Sequence, residues 1–270
     1  MGRSLKENDQ LAEWNLAIAD HLENGSTEQG FHDLIASVLT FDEMLIFEYA
    51  NGSATSIFHT VSDRRKKFLV DDYVLGPFLL DPFYTQTLSC RHTKFMVMRD
   101  VSPGHFHKSE FYRRHYHLTG IADEIGIAFE INKDRSTVVS LTRNKNQPRF
   151  GAREKNIFRH ATPVLAVLGR KLWKQTETHD RASMSDRQEN AFDNFGKDVL
   201  SKREVEIASL ILQGHSSISA GKLLNISPGT VKNHRKNLYF KLNISSQAEL
   251  FNKFIHHISK KDEDRNEAVA

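Results

Sequence analysis

Apolar positions in the first forty residues recur at helical spacing. Leu11, Trp14, Ile18 and Leu22 form one stripe, and Phe31, Leu34, Ile35, Val38 and Leu39 the next, which predicts helices over 10–23 and 26–39. The period then shortens. Residues 43–49 are an apolar run that meets 54–59 across Asn51-Gly52, the strongest short-range hairpin signal. Residues 93–98 predict a further strand. Ile125, Ile127, Phe129 and Ile131 alternate with Gly126, Ala128 and Glu130, and the polar residues 132–135 connect that strand to another at 137–141. Helical spacing returns over 105–118 and 152–174. The order helix-helix, hairpin, helix, strand, helix, hairpin, helix suits an antiparallel sheet with helices packed on it.

From residue 200 the pattern is one of short helices with well-marked ends. Ser201 and Glu204 have the spacing of a capping box, Val205, Ile207, Ala208, Ile211 and Leu212 supply an apolar stripe, and Gly214 stands where a left-handed terminator belongs. Ser216-Ser217 leads into a brief second helix with Ile218, Ala220, Leu223 and Leu224, weakened by Gly221 at about 1 kcal/mol relative to Ala. A third helix opens on Ser227 with Pro228 behind it. Two helices joined by a tight turn predict a helix-turn-helix. At about 100° per residue, Val231, Leu238 and Leu242 share the core face of the third helix, with His234 beside them. Lys232, Asn233, Lys236 and Asn237 project the other way, and Phe240 also points outward. Ser246 and Glu249 repeat the capping-box spacing ahead of Ala248, Leu250, Phe251, Phe254 and Ile255, predicting a fourth helix.

The ordered set of residues 200–204, 214–216, 227–234 and 239–242 resembles the DNA-binding module of LuxR/FixJ-type transcriptional regulators over roughly 60 residues, the size of one small helical domain. The resemblance implies base contacts from Lys232, Asn233 and Lys236, phosphate contacts from Thr230, Arg235 and Lys241, and subunit pairing through the fourth helix, which also completes the core. Two departures stand out. Ser217–Gly221 replaces a polar Asn-Lys-Glu followed by Ile-Ala, and Phe240 replaces an arginine. Charge supports the reading: residues 197–260 hold ten Lys/Arg against four Asp/Glu, a net +6 in a chain of +3, so the remainder sums to −3.

At 270 residues the chain is long enough for a sizeable core and a small module. The expected fold class is α+β: a sheet domain over 1–175, a polar linker over 176–196, the helix-turn-helix domain over 197–260 and a polar tail over 261–270. The layout of the first domain looks like a GAF/PAS-type sensor. Fifteen of the 18 Phe and five of the six Tyr precede residue 196, enough to line an apolar pocket. Tyr73 followed by Asp81-Pro82 resembles the Tyr and Asp-Pro of acyl-homoserine-lactone receptors, in which the Asp accepts a hydrogen bond from the ligand amide. Leu69 stands where those receptors carry tryptophan. Tyr73, Asp81, Tyr84, Gly126 and Ala128 are the candidate ligand residues, the last two because small side chains on one strand face leave room for a molecule or for a close helix.

Other functions find less in the sequence. Asp71-Asp72 follows Arg64-Arg-Lys-Lys67 rather than the buried strand a phosphoacceptor pair requires. His105 and His107, like His115 and His117, are two apart and diverge on a helix, so neither pair forms a ready chelate. No catalytic residue, metal or cofactor is expected. No apolar run has the length of a membrane span, the N-terminal residues lack a secretory signal, and Cys90 is the only cysteine, so a cytoplasmic protein is expected. The implied partners are double-stranded DNA, a small-molecule effector and a second copy of the chain, with RNA polymerase a further candidate. The alternatives are an acyl-homoserine-lactone receptor, or a ligand-independent DNA-binding protein whose first domain only dimerises.

Overall fold

The computed structural model describes residues 2–50, 52–88, 92–174, 191–192 and 194–269, with side chains from residue 12 to residue 259 of these. Most of the expected linker, together with Asn51 and Cys90, lies outside the described residues. Helices α1 (Gly2–Asn24) and α2 (Glu28–Ala36) come first. The side chain of Thr27 caps α2 by accepting a hydrogen bond from the Gly30 amide at 3.0 Å. Five antiparallel strands follow: β1 (Glu43–Ala50), β2 (Ser53–His59), β3 (Thr93–Val97), β4 (Ile121–Asn132) and β5 (Arg135–Asn144), arranged in the order β2-β1-β5-β4-β3.

Alternation along the strands sorts the apolar residues into two layers. Met44, Ile46, Ile127, Val139 and Leu141 pack with Phe31, Leu34 and Ile35 of α2. Phe158, Leu165 and Trp173 of a long helix, α4 (Ala152–Trp173), close the same face. Leu45, Phe47, Tyr49, Ala128 and Val138 face the opposite way. That side is covered by short helical pieces over residues 63–87, the last of them α3 (Pro82–Thr87), and over 98–117. Each set includes one π-helical turn, Lys67–Asp71 in the first and Arg113–His117 in the second. Asp71 is exposed in the first turn rather than set at the end of a buried strand.

Four helices complete the chain: α5 (Lys202–Leu212), α6 (Ser217–Leu224), α7 (Pro228–Lys241) and α8 (Gln247–Val269). The last runs on through residues expected as a polar tail. Its buried residues Leu250, Phe251, Phe254 and Ile258 belong to the same apolar cluster as the second face of the sheet. Phe254 stacks on Phe192 at 4.7 Å between ring centroids and meets Phe195 edge-on at 5.4 Å. Phe251 lies under the guanidinium of Arg114, and Ile258 packs against Gly76, both from the sheet domain. The apolar side of α8 is therefore engaged within the chain, and among the described side chains the positions it leaves exposed are the polar Glu249, Asn252, Lys253 and His256.

Candidate nucleic-acid interface and sensor cavity

Each helix of the C-terminal module begins where its cap residue dictates. Ser201 accepts from the Glu204 amide, and Glu204 Oε2 accepts from the Ser201 amide at 2.8 Å. Ser216 caps α6 by accepting from the Ser219 amide at 3.0 Å, and Ser227 caps α7 by accepting from the Thr230 amide at 3.0 Å. Between α6 and α7 the chain turns on Asn225, which holds the left-handed conformation at φ 55°. Gly221 is required by this turn, because a Cβ there would stand 2.7 Å from the Ile226 carbonyl oxygen. Its helix-propensity cost is thus the condition for bringing two helices close.

The wheel reading of α7 matches the side chains. Val231 and Leu238 are buried, while Lys232, Asn233, Arg235, Lys236 and Asn237 are exposed along one side. Arg235 lies over the Tyr239 ring at 5.2 Å. Two of the expected phosphate contacts carry local structural duties. The Thr230 hydroxyl lies 2.8 Å from that of Ser227 at the cap, and Lys241 Nζ donates to Glu204 Oε2 at 2.8 Å. Burial alone would raise the Glu204 carboxyl, but hydrogen bonds from Lys241 and Ser201 outweigh it and hold the group below the ordinary glutamate value. In α6 only Ala220 of the four apolar residues is fully buried. Ile218 and Leu223 are 62% and 61% exposed, because the helix approaches its neighbours through the small side chains Ala220 and Gly221.

Between the sheet and its helical cover lies a space of about 40 Å³ lined by Tyr49, Tyr73, Asp81, His115, Tyr116 and Glu124, among others. Tyr73 donates to Asp81 Oδ2 at 2.7 Å, so the 2.7 Å contact between the Tyr49 and Tyr73 hydroxyls must be donated by Tyr49. Asp81 Oδ1 accepts from the Phe83 amide at 2.7 Å and so caps α3 as well. Tyr116 donates to Glu124. Burial raises Asp81 to about 6 against the hydrogen bonds it accepts, and burial together with the Asp81 charge raises Glu124 to about 8. His115 is lowered to about 4 by burial and the neighbouring Arg114. At neutral pH the cavity therefore holds a protonated Glu124 and an uncharged imidazole.

Of the five residues expected to hold a ligand, Tyr73 and Asp81 line this cavity. Tyr84 packs behind Tyr49 with ring centroids 4.9 Å apart, Gly126 lies beneath the Phe83 ring, and Ala128 is fully buried. The small side chains thus admit α3 rather than leaving the space open. Glu124 also lines the cavity, and the two-residue period of β4 puts it on the face of Gly126 and Ala128. Tyr116 and Glu124 also line a neighbouring groove of about 260 Å³, with Arg99, Phe106, Asp123 and Arg149, so this hydrogen-bonded pair partitions the two spaces.

The turn that carries Tyr116 also reaches the C-terminal helices. His115 and Tyr116 face the cavity, whereas the adjacent Arg114 donates to Asn252 Oδ1 at 2.6 Å and covers Phe251 at 4.6 Å. Glu110 pairs with both Arg113 and Arg114. One π-helical turn therefore touches the cavity and α8 together, a placement typical of π-bulges at functional sites.

Residues 198–254 match the family model described as bacterial regulatory proteins, luxR family. A protein of Aeromonas salmonicida described as an HTH-type transcriptional regulator in the exeN 3′ region is 34% identical over 156 residues, which are 54% of this chain and 80% of that protein. Among solved structures, the LBD domain of VqsR from Pseudomonas aeruginosa is similar with a TM-score of 0.51 at 20% identity, covering 60% of this chain and 98% of that one. SdiA from Escherichia coli aligns over 90% of this chain and 96% of its own with a TM-score of 0.46 at 14% identity. Among the described residues no helix is long and apolar enough to cross a membrane.

Proposed function

The chain belongs to the LuxR family of bacterial regulatory proteins, and from that premise we propose that α7 reads the major groove of duplex DNA under the control of a small molecule bound beneath the sheet. The observation that carries this reading is the exposed row of Lys232, Asn233 and Lys236 on a helix whose other side is fixed in a helix-turn-helix core. Arg235, Thr230 and Lys241 flank the row at the height of the phosphates. The protein acts in the cytoplasm as a homodimer on a two-fold operator, each copy presenting one α7 to successive major-groove faces. A dimer built on α8 would use its Asn252, Lys253 and His256 side. RNA polymerase is the partner through which an activator of this kind would work.

Binding sites selected from a random duplex library with the full chain supply the operator for the test. Lys236→Ala is expected to cost about 1–3 kcal/mol on that operator and to change the preferred base at one position of each half-site. A uniform loss across all sequences would make Lys236 a phosphate contact and overturn its role.

Effector control follows from the cavity. About 40 Å³ is far below the roughly 300–1,000 Å³ of a small-molecule pocket. Entry of an effector therefore displaces the Tyr116–Glu124 partition and joins the cavity to the adjoining groove. The movement shifts the 113–117 turn and with it the Arg114 contacts to α8, biasing the arrangement of the DNA-binding helices. In a thermal-shift screen of metabolites that includes N-acyl-homoserine lactones, a binder raises the melting temperature of the wild type and raises that of Tyr116→Phe more, because the hydrogen bond that entry must break is already absent there. Absence of any stabilising compound would favour the ligand-independent reading, in which the first domain only dimerises.

A further inference from the structure

The sheet domain sends one loop to the helix-turn-helix. Phe106 is buried there, with its backbone set against Gly214 so closely that a Cβ on Gly214 would stand 2.8 Å from the Phe106 Cα. Gly214 also holds φ at +92°, a conformation costly for residues with a side chain. The contact is therefore one of backbone against backbone, and it fixes what the neighbouring loop residues face. His105 and Lys108, both exposed, form one wall of a groove of about 550 Å³. Lys232 and Arg235 of α7 stand on another wall, and the start of α6 at Ser216 and Ser217 opens into the same space. No aspartate or glutamate lines it among the described residues.

In a helix-turn-helix complex the helix preceding the recognition helix crosses the sugar-phosphate backbone while the recognition helix enters the groove. Here that crossing helix is α6. The backbone strand it meets passes the opening where Lys108 faces Lys232 and Arg235, beside the positive end of α6. We infer that Lys108 of the sensor domain is a phosphate contact, so that the DNA interface extends beyond the family module onto the loop at 105–108. The occupant is duplex DNA, recognised there by charge alone. The inference rests on the reading of α7 given above.

The test measures duplex affinity of the full-length protein as a function of salt for the wild type, Lys108→Ala, Lys108→Arg and Lys236→Ala. Neutralising one phosphate releases about 0.9 counterion, so Lys108→Ala is expected to make the dependence of log K on log salt shallower by about 0.9 per chain and to leave base preference unchanged. Lys108→Arg should keep the wild-type slope. Lys108 is exposed, and an unchanged melting temperature of the alanine variant confirms that its fold is intact. An unchanged slope, or tighter binding by Lys108→Ala, overturns the inference and identifies the loop as a bystander or an obstruction. If at the same time Lys236→Ala alters base preference, the α7 reading stands alone. Absence of duplex affinity in the wild type at low salt would end both.

Discussion

Between about pH 6.5 and 8 the folded protein is expected to lose stability as the solution becomes more alkaline, by up to about 1.4 kcal/mol per pH unit, and Glu124→Gln is expected to remove that slope. The cause is the buried carboxyl facing the sensor cavity. Its folded value of about 8 lies above the ordinary 4.5, so over the interval between them the folded state holds a proton that the unfolded chain has released. Raising the pH then favours the unfolded chain. The contribution is fully present below 4.5 and lost as the pH passes through 8. Asp81, raised to about 6 by its burial, acts in the same direction at lower pH. His115 acts in the opposite direction: lowered to about 4, it is neutral in the folded state where the unfolded imidazole is still charged, so it favours folding as pH rises toward 6.5. Above 6.5 the Glu124 effect is the clearest of the three. Denaturant titrations of both proteins at pH 6.5, 7.2 and 8.0 decide the matter, and parallel curves for wild type and Glu124→Gln would refute it.

Phe254→Ala is expected to cost about 3–5 kcal/mol and to abolish DNA binding without touching any residue that faces DNA. Phe254 is fully buried between the rings of Phe192 and Phe195 and the helices of the C-terminal module. Truncation removes those contacts and leaves a cavity that a well-packed core closes only in part. The stability of a small domain is of the same size as the loss, so the helix-turn-helix unfolds with it. Phe240→Ala is the matched control. That ring is 86% exposed, and its removal should change stability by less than about 0.5 kcal/mol. The midpoint of denaturant unfolding for the two variants gives the comparison, and similar midpoints would contradict the packing argument.

The helix-turn-helix was legible in the sequence because its determinants are local. The Ser201 and Glu204 box, the Ser227-Pro228 start and the helical period of α7 each act within a few residues, and the structure puts Lys232, Asn233 and Lys236 where the period puts them. The sheet was legible for the same reason: Ile125, Ile127 and Phe129 alternate on one face and Gly126 and Ala128 on the other. Where the period fails, the local pattern carries no register. Residues 63–87 and 98–117 are broken into α, 3-10 and π turns whose register follows tertiary packing. The exposure of Ile218 and Leu223 depends on how closely α6 approaches its neighbours, a distance set by Gly221 and invisible to an apolar count. The cavity pairs residues distant in sequence, as Tyr49 meets Tyr73, and a motif of Tyr73 with Asp81 reveals only two of its walls.

Helix α8 is a shared beam. One end of its apolar side completes the fold of the DNA-reading helices, and Phe251 and Ile258 are seated on Arg114 and Gly76 of the sheet domain. A chimera that joins this C-terminal module to a different sensor would inherit a groove cut for other partners. Exchange of sensors between relatives therefore requires the two seats to be carried across with the helix, and severing the chain between its halves would leave greasy rings facing water on both fragments.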